Sequence, residues 1–244
     1  MGLWSRIKKA AKKVWRVVKA TVRVVSRTVL GIVTHVVPGG LDLLLGFLLW
    51  PRKRLRLHVF ILTVDSPNPD GGLGRAPVLP EQDVLAVVEN TKRIYRKLFN
   101  VDVRPYSKGF VEILNDEAPA SALDFECGAG SEFGESGEFF AKHLAGWNVI
   151  PISLTFPITV FVVRELKGGA SGCSMAIFGD YVVIDEQGLK EDKMIALPHE
   201  MGHTCSLWHS GTSTNLMHEG PPADENAKWF QKNLLRSSRH VQYW

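Results

Sequence analysis

The run His199-Glu200-Met201-Gly202-His203, with His209 six residues further on, constrains this chain more than any other feature. Residues four apart lie on one face of a helix, so the imidazoles of His199 and His203 project together. His209 can join them only where the helix ends soon after His203 and the chain turns back. Three imidazoles at this spacing suit a catalytic zinc, which takes about four ligands in a tetrahedron and keeps one position for water. Glu200 follows the first ligand directly and is placed to take a proton from that water. Cys205 lies inside the motif. It is either a thiol ligand or a small buried residue on the back of the helix.

Downstream the sequence continues Ser210-Gly-Thr-Ser-Thr-Asn-Leu-Met-His218. The whole run, HEMGHTCSLWHSGTSTNLMH, resembles the metzincin metalloproteases, and among them the matrixins. Met217 stands where that family places the methionine of a tight turn beneath the metal. Lys228-Trp229-Phe230-Gln231 and Leu234-Leu235-Arg236 resemble its C-terminal helix, and Gly179 to Asp185 its last strand before the active-site helix. The resemblance is strong over residues 170–240 and faint before them. It implies an α+β catalytic domain: a twisted mixed sheet backed by helices, a zinc helix and a small C-terminal lobe. It also implies that Ser171 to Phe178, with Ser174, Met175 and Ala176, forms the edge strand that an extended peptide joins. His218 and Pro221 would then line the pocket beyond the cleaved bond. The family's motif glycine is Ser206 here. That position usually has positive φ, at a cost of about 1 kcal/mol for a residue with a Cβ. The family's second zinc site, calcium loops and cysteine switch have no recognisable counterpart, so the chain reads as matrixin-like rather than as a matrix protease of standard layout.

The net charge of +4 conceals two unlike parts. Residues 1–56 hold 13 of the 29 Lys and Arg and one of the 25 acidic residues, a net +12, which leaves the other 188 residues at −8. Trp4, Ile7, Ala11, Val14, Trp15, Val18, Val22, Val25, Val29, Ile32 and Val36 recur at three- and four-residue steps. They predict one apolar stripe along a helix, with most of the Lys and Arg off it. A basic amphipathic helix with tryptophan on its apolar side suits an anionic membrane surface. A nucleic-acid arm is the less favoured partner. Thr28 to Trp50 is apolar apart from His35 and Asp42, and Pro38-Gly39-Gly40 interrupts it. It is long enough to cross a bilayer core of ~30 Å, or to form an interfacial hairpin. Nine Lys and Arg precede it. If it spans, the positive-inside rule puts the catalytic domain outside the cytoplasm.

Two domains are therefore expected: a membrane-associating segment over 1–56 and a metalloprotease domain over 57–244. Leu57 to Val64 predicts a buried strand and residues 65–80, rich in proline with a Gly-Gly, a loop. Asp83 to Phe99 predicts an amphipathic helix burying Val84, Val87, Val88, Ile94, Tyr95 and Leu98. Val101–Arg104, Val111–Leu114, Ile158–Arg164 and Tyr181–Asp185 read as strands, and 135–146 as a short helix. The acidic stretch 115–137 reads as a solvated loop; its carboxylates could hold calcium, though no motif indicates it. Three cysteines permit one bridge but imply no disulfide framework.

The reaction implied is peptide-bond hydrolysis by a zinc-activated water, with Glu200 as general base and Met217 as support for the ligands. Two alternatives stand. One is a zinc hydrolase of another class, with Glu219 or Glu225 as third ligand. The other is a membrane-active or nucleic-acid-binding protein with a structural zinc site.

Overall fold

The computed structural model describes residues 8–22, 25–26, 29, 51–67, 72–128, 130–144, 157–174, 181–190, 194–220 and 225–243. Residues 30–50 of the apolar run, Met175, Ala176 and Pro221 lie outside the described residues. No helix among the described residues is long and apolar enough to cross a membrane.

A long strand, β1 (Lys53–Pro67), is the spine of the domain. Leu55, Leu57, Val59 and Ile61 point to one face, and Phe60 and Leu62 to the other. Both faces are covered, which is why the strand reads as a nearly continuous apolar run. The strand begins before Leu57 because Lys53 is drawn in. Its ammonium donates to the Arg236 carbonyl at 2.7 Å and sits 4.2 Å from the Tyr243 ring centroid. The stretch after the strand is not all loop: β2 (Leu73–Pro77) folds back antiparallel on the end of β1.

Helix α2 (Glu81–Phe99) buries all six residues of the expected stripe, together with Thr91 and Phe99. Each large apolar side chain contributes roughly 1.5–3 kcal/mol on full burial. The helix ends at Asn100, whose φ of 53° turns the chain into β3 (Val101–Pro105). β3 and then β4 (Val111–Leu114) run parallel along one edge of β1. The stretch read as an acidic loop holds α3 (Ala120–Leu123), β5 (Asp124–Glu126) and a 3-10 turn, and leads to α4 (Glu135–Lys142). Two of its carboxylates have partners in the chain: Asp124 meets the Arg164 guanidinium, and Asp116 meets the Lys142 ammonium and the His143 ring.

Along the other edge of β1 lies β6 (Ile158–Val162), parallel, then β9 (Tyr181–Ile184), parallel again. β7 (Glu165–Lys167) pairs with β5 apart from the main sheet. The terminal strand is β8 (Gly172–Ser174), antiparallel to β9. α5 (Glu186–Leu189), α6 (Ala196–Thr204) and α7 (Trp229–Arg236) follow. The two-residue β10 (Val241–Gln242) returns to β1. The C-terminal segment is thus stitched into the sheet rather than standing apart as a lobe. Beneath one face lie α2, α6 and α7; the other holds an aromatic cluster of Phe60, Phe125, Phe140, Phe161 and Tyr181.

Upstream, residues 8–22 form a helix, α1. Arg16 pairs with Glu138 at 2.9 Å and with Glu135 at 3.4 Å on α4, and Ala20 is buried.

Cys127 and Cys173 are bonded, closing 46 residues and tying β8 to the chain beyond β5. Breaking it with Cys127→Ser should cost roughly 2–4 kcal/mol, since a closed loop of this size restricts the unfolded chain. Urea unfolding of both proteins under oxidising conditions checks this; equal midpoints would refute it.

Candidate metal centre

Helix α6 presents His199 and His203 one turn apart, and its placement is set from below by α2. The Tyr95 hydroxyl donates to the Pro198 carbonyl at 3.3 Å, and the Asn90 amide donates to Met194 at 3.3 Å. Burial pushes the Tyr95 phenol well above its ordinary value, so it stays a donor. Cys205 is fully buried against this core, with its thiol pushed up to about 12 by burial. It stands on the back of the helix, away from ligand chemistry.

The helix stops at a left-handed residue. Ser206 has φ 67°. The Leu207 N–H donates to the Gly202 carbonyl at 2.9 Å, and the Ser206 N–H donates to His203 at 2.8 Å. This is the paired bonding of a Schellman turn, usually built on glycine. The reversal carries His209 back over the helix.

The three imidazoles then converge. His203 Nε2 lies 3.0 Å from His199 Nε2 and 3.0 Å from His209 Nε2. The other nitrogen of each ring is taken up. His199 Nδ1 donates to the Leu216 carbonyl at 2.9 Å, His203 Nδ1 donates to Leu207 at 2.8 Å, and His209 Nδ1 meets the Glu219 carboxylate at 3.1 Å. Such partners fix the tautomer and leave Nε2 bare for a metal. Three lone pairs at this distance repel unless a cation lies between them. The donor set fits zinc: three imidazoles, which is the ligand type zinc favours in catalytic sites. Among the described residues this is the group of His, Cys, Asp or Glu side chains that could hold a metal ion. Glu225 is engaged elsewhere, with Arg93 and Lys97, and Glu219 serves His209.

Met217 sits in a tight turn below. Its N–H is held by the Asn215 side chain at 3.0 Å, and its carbonyl accepts from the Ser210 N–H at 2.7 Å. The turn is bolted to α7 by the reciprocal amide pair of Asn215 and Gln231, at 2.8 and 3.2 Å. The methionine sulfur packs against Gly202, where a Cβ would approach within 2.6 Å. Gly202 is therefore needed for close approach, a role the sequence did not reveal.

Glu200 faces β8. Ser174 donates to its carboxylate through both hydroxyl and backbone N–H. Ser174, expected on the substrate strand, is thus a partner of Glu200. Gly172 is packed just as tightly, since a Cβ there would lie 2.6 Å from Glu200 Cγ. Burial pushes the Glu200 carboxyl up to about 7, with the Ser174 bonds opposing. Burial holds His199 down to about 4 and also lowers His203. A cleft of about 360 Å³ opens here, lined by Gly172, Ile195, His199, Glu200, His209 and His218 among others. His218 lies on the wall of this cleft, with Nδ1 donating to the Ser210 carbonyl at 3.3 Å.

No protein-family model and no curated protein matches the sequence. Among solved structures the chain is similar to metalloproteinase-II from Bacteroides fragilis, at 14% identity and a TM-score of 0.47, over 76% of this chain and 53% of that one. It is also similar to archaemetzincin from Methanopyrus kandleri, at 15% identity and a TM-score of 0.42, over 74% of this chain and 94% of that one. The chain thus spans about half the length of the Bacteroides protein. The likeness is coarse.

Two outcomes follow from this geometry. Gly202→Ala should lower zinc affinity by roughly tenfold by displacing the Met217 support. Its stability should fall less, because alanine gains up to about 1 kcal/mol of helix propensity; competition with a chromogenic chelator reads the affinity. The second concerns pH in the metal-free protein. A carboxyl whose folded value is raised from 4.5 to about 7 disfavours folding as the pH climbs through that window. The lowered histidines act in the opposite sense, adding stability as the pH rises. Metal-free Glu200→Gln should therefore gain on the wild type, by on the order of 3 kcal/mol, between pH 4.5 and 7. Parallel urea titrations at the two pH values test this.

Proposed function

We propose that this chain is a zinc-dependent endopeptidase of matrixin-like metzincin type, working at a membrane through residues 1–50. The observation that carries the proposal is the convergence of three bare Nε2 atoms beside the half-buried Glu200 carboxylate at one open cleft. A zinc held by His199, His203 and His209 would supply Lewis-acid activation of water and of the peptide carbonyl.

The chain's own residues do the rest. Glu200, poised near neutrality by burial, can accept a proton and later return it to the leaving amine. A general base works best when its pKa lies near the working pH. Ser174 holds that carboxylate against β8, so its direction is set before substrate arrives. Leu207, Leu216 and Glu219 fix the ligand tautomers, and Met217 with Gly202 keeps the helix seated. β8, the terminal strand of the sheet, offers backbone to an extended peptide lying along the cleft. His218 and Pro221 belong to the pocket beyond the cleaved bond in this reading. If residues 28–50 span a bilayer, the catalytic domain lies outside the cytoplasm. A purely structural zinc site gives no reason for a carboxylate next to the ligands and facing the cleft, which favours the enzyme.

The test pairs zinc analysis with cleavage of a quenched peptide library. Wild type and Glu200→Ala should both hold one zinc, while cleavage by the variant falls roughly 10²- to 10⁴-fold. His203→Ala should lose zinc as well. Zinc without cleavage in the wild type would count against the enzyme.

A further inference from the structure

Helix α1 meets the domain by the side that a soluble amphipathic helix would normally turn outward. Arg16 and Ala20, one turn apart, face α4, where Arg16 is paired with Glu135 and Glu138. Val14, Val18 and Val22 each lie two residues from Arg16 or Ala20, roughly 200° round the helix and so on its opposite side. They are exposed by 63%, 44% and 60%. Trp15 is exposed by 61%, and Val25 and Val29 prolong the exposed row. An apolar helix face normally goes to the core; here the charged face is docked and the apolar one is presented.

We propose that this outward face of α1 is a docking surface for an anionic lipid bilayer, with the Arg16 side remaining on the catalytic domain. The inference rests on the membrane reading above and names the surface that makes the contact. Charge and apolar character together select the occupant. Lys8, Lys12 and Lys19 are exposed along one flank of the stripe, and the Lys19 ammonium lies 5.7 Å from the Trp15 ring centroid. Lysine and tryptophan at the rim of a valine stripe match a bilayer interface, where the rim meets headgroups and the stripe meets acyl chains. Residues 1–27 hold nine Lys and Arg and no acidic residue, so an anionic surface attracts them. A nucleic acid would engage cations at the centre of the face, and here that centre is valine. A second copy would bring two strongly basic helices together against their own repulsion.

The experiment is co-sedimentation of the full chain with vesicles of phosphatidylcholine alone and of phosphatidylcholine with one quarter phosphatidylglycerol. Wild type should bind the anionic vesicles and bind the neutral ones far more weakly. Val18→Glu with Val22→Glu, both exposed, should weaken that binding tenfold or more, with zinc content and peptide cleavage unchanged. Hydrogen exchange over residues 135–142 should be the same with and without vesicles. Unchanged binding by the double variant would overturn the proposed surface while leaving the rest of residues 1–50 as the membrane contact. Faster exchange at α4 on vesicle binding would overturn the docked orientation. Wild type that ignores both vesicles would sink the membrane reading too. A lipid-free dimer dissolved by the double variant would reassign the face to a second copy. Glu200→Ala should bind vesicles like wild type, so a failed peptidase assay leaves this result intact.

Discussion

The site depends on one backbone reversal. Helix α6 has to stop within a turn of His203, and Ser206 in the left-handed region makes it stop. The same turn places the Leu207 carbonyl under His203 Nδ1 and swings His209 to within 3.0 Å of His203 Nε2. A helix continuing past residue 206 would carry His209 round to another face, and the three nitrogens could not meet. The positive φ of a residue bearing a Cβ costs on the order of 1 kcal/mol. The turn's two hydrogen bonds and the burial of Leu207 offset that cost.

Around this reversal the molecule is arranged so that the ligands have nowhere else to go. α2 supports α6 from beneath through Tyr95 and Asn90. The Asn215–Gln231 amide pair ties the methionine turn to α7. At Gly172 and Gly202 a side chain would have intruded, on Glu200 in one case and on Met217 in the other. The result is three ring nitrogens facing each other beside a half-buried carboxylate whose pKa burial raises to about 7. A divalent cation relieves the first, and a proton in transit suits the second. The same burial that makes the apo site costly makes it chemically responsive.

Charge is partitioned along the chain in a way that matches its architecture. The basic segment meets the acidic remainder of the chain at Arg16, Glu135 and Glu138. That contact is made from the Arg16 side of α1, so the valine and tryptophan side faces outward. The disulfide between Cys127 and Cys173 is chemistry suited to an oxidising compartment.

Much of this was legible in the sequence because it is local. The spacing of His199, Glu200 and His203 is a property of any helix. The six-residue stripe of α2 follows from its period, and a chain reversal soon after His203 follows from where the third histidine must go; the left-handed conformation of Ser206 was implied by the family resemblance. The strand at Leu57 was visible from its apolar run, but not its start at Lys53, because a buried lysine is explained only by the Arg236 carbonyl and the Tyr243 ring far along the chain. The hairpin of β1 with β2 was hidden by prolines that sit where no ladder donor is required. Which cysteines bond, which glycines are pressed against Met217 and Glu200, that Ser174 serves Glu200, and that α1 docks by its charged side were decided by tertiary structure alone. Each is a contact between residues distant in sequence, and periodicity carries no information about what a face will meet.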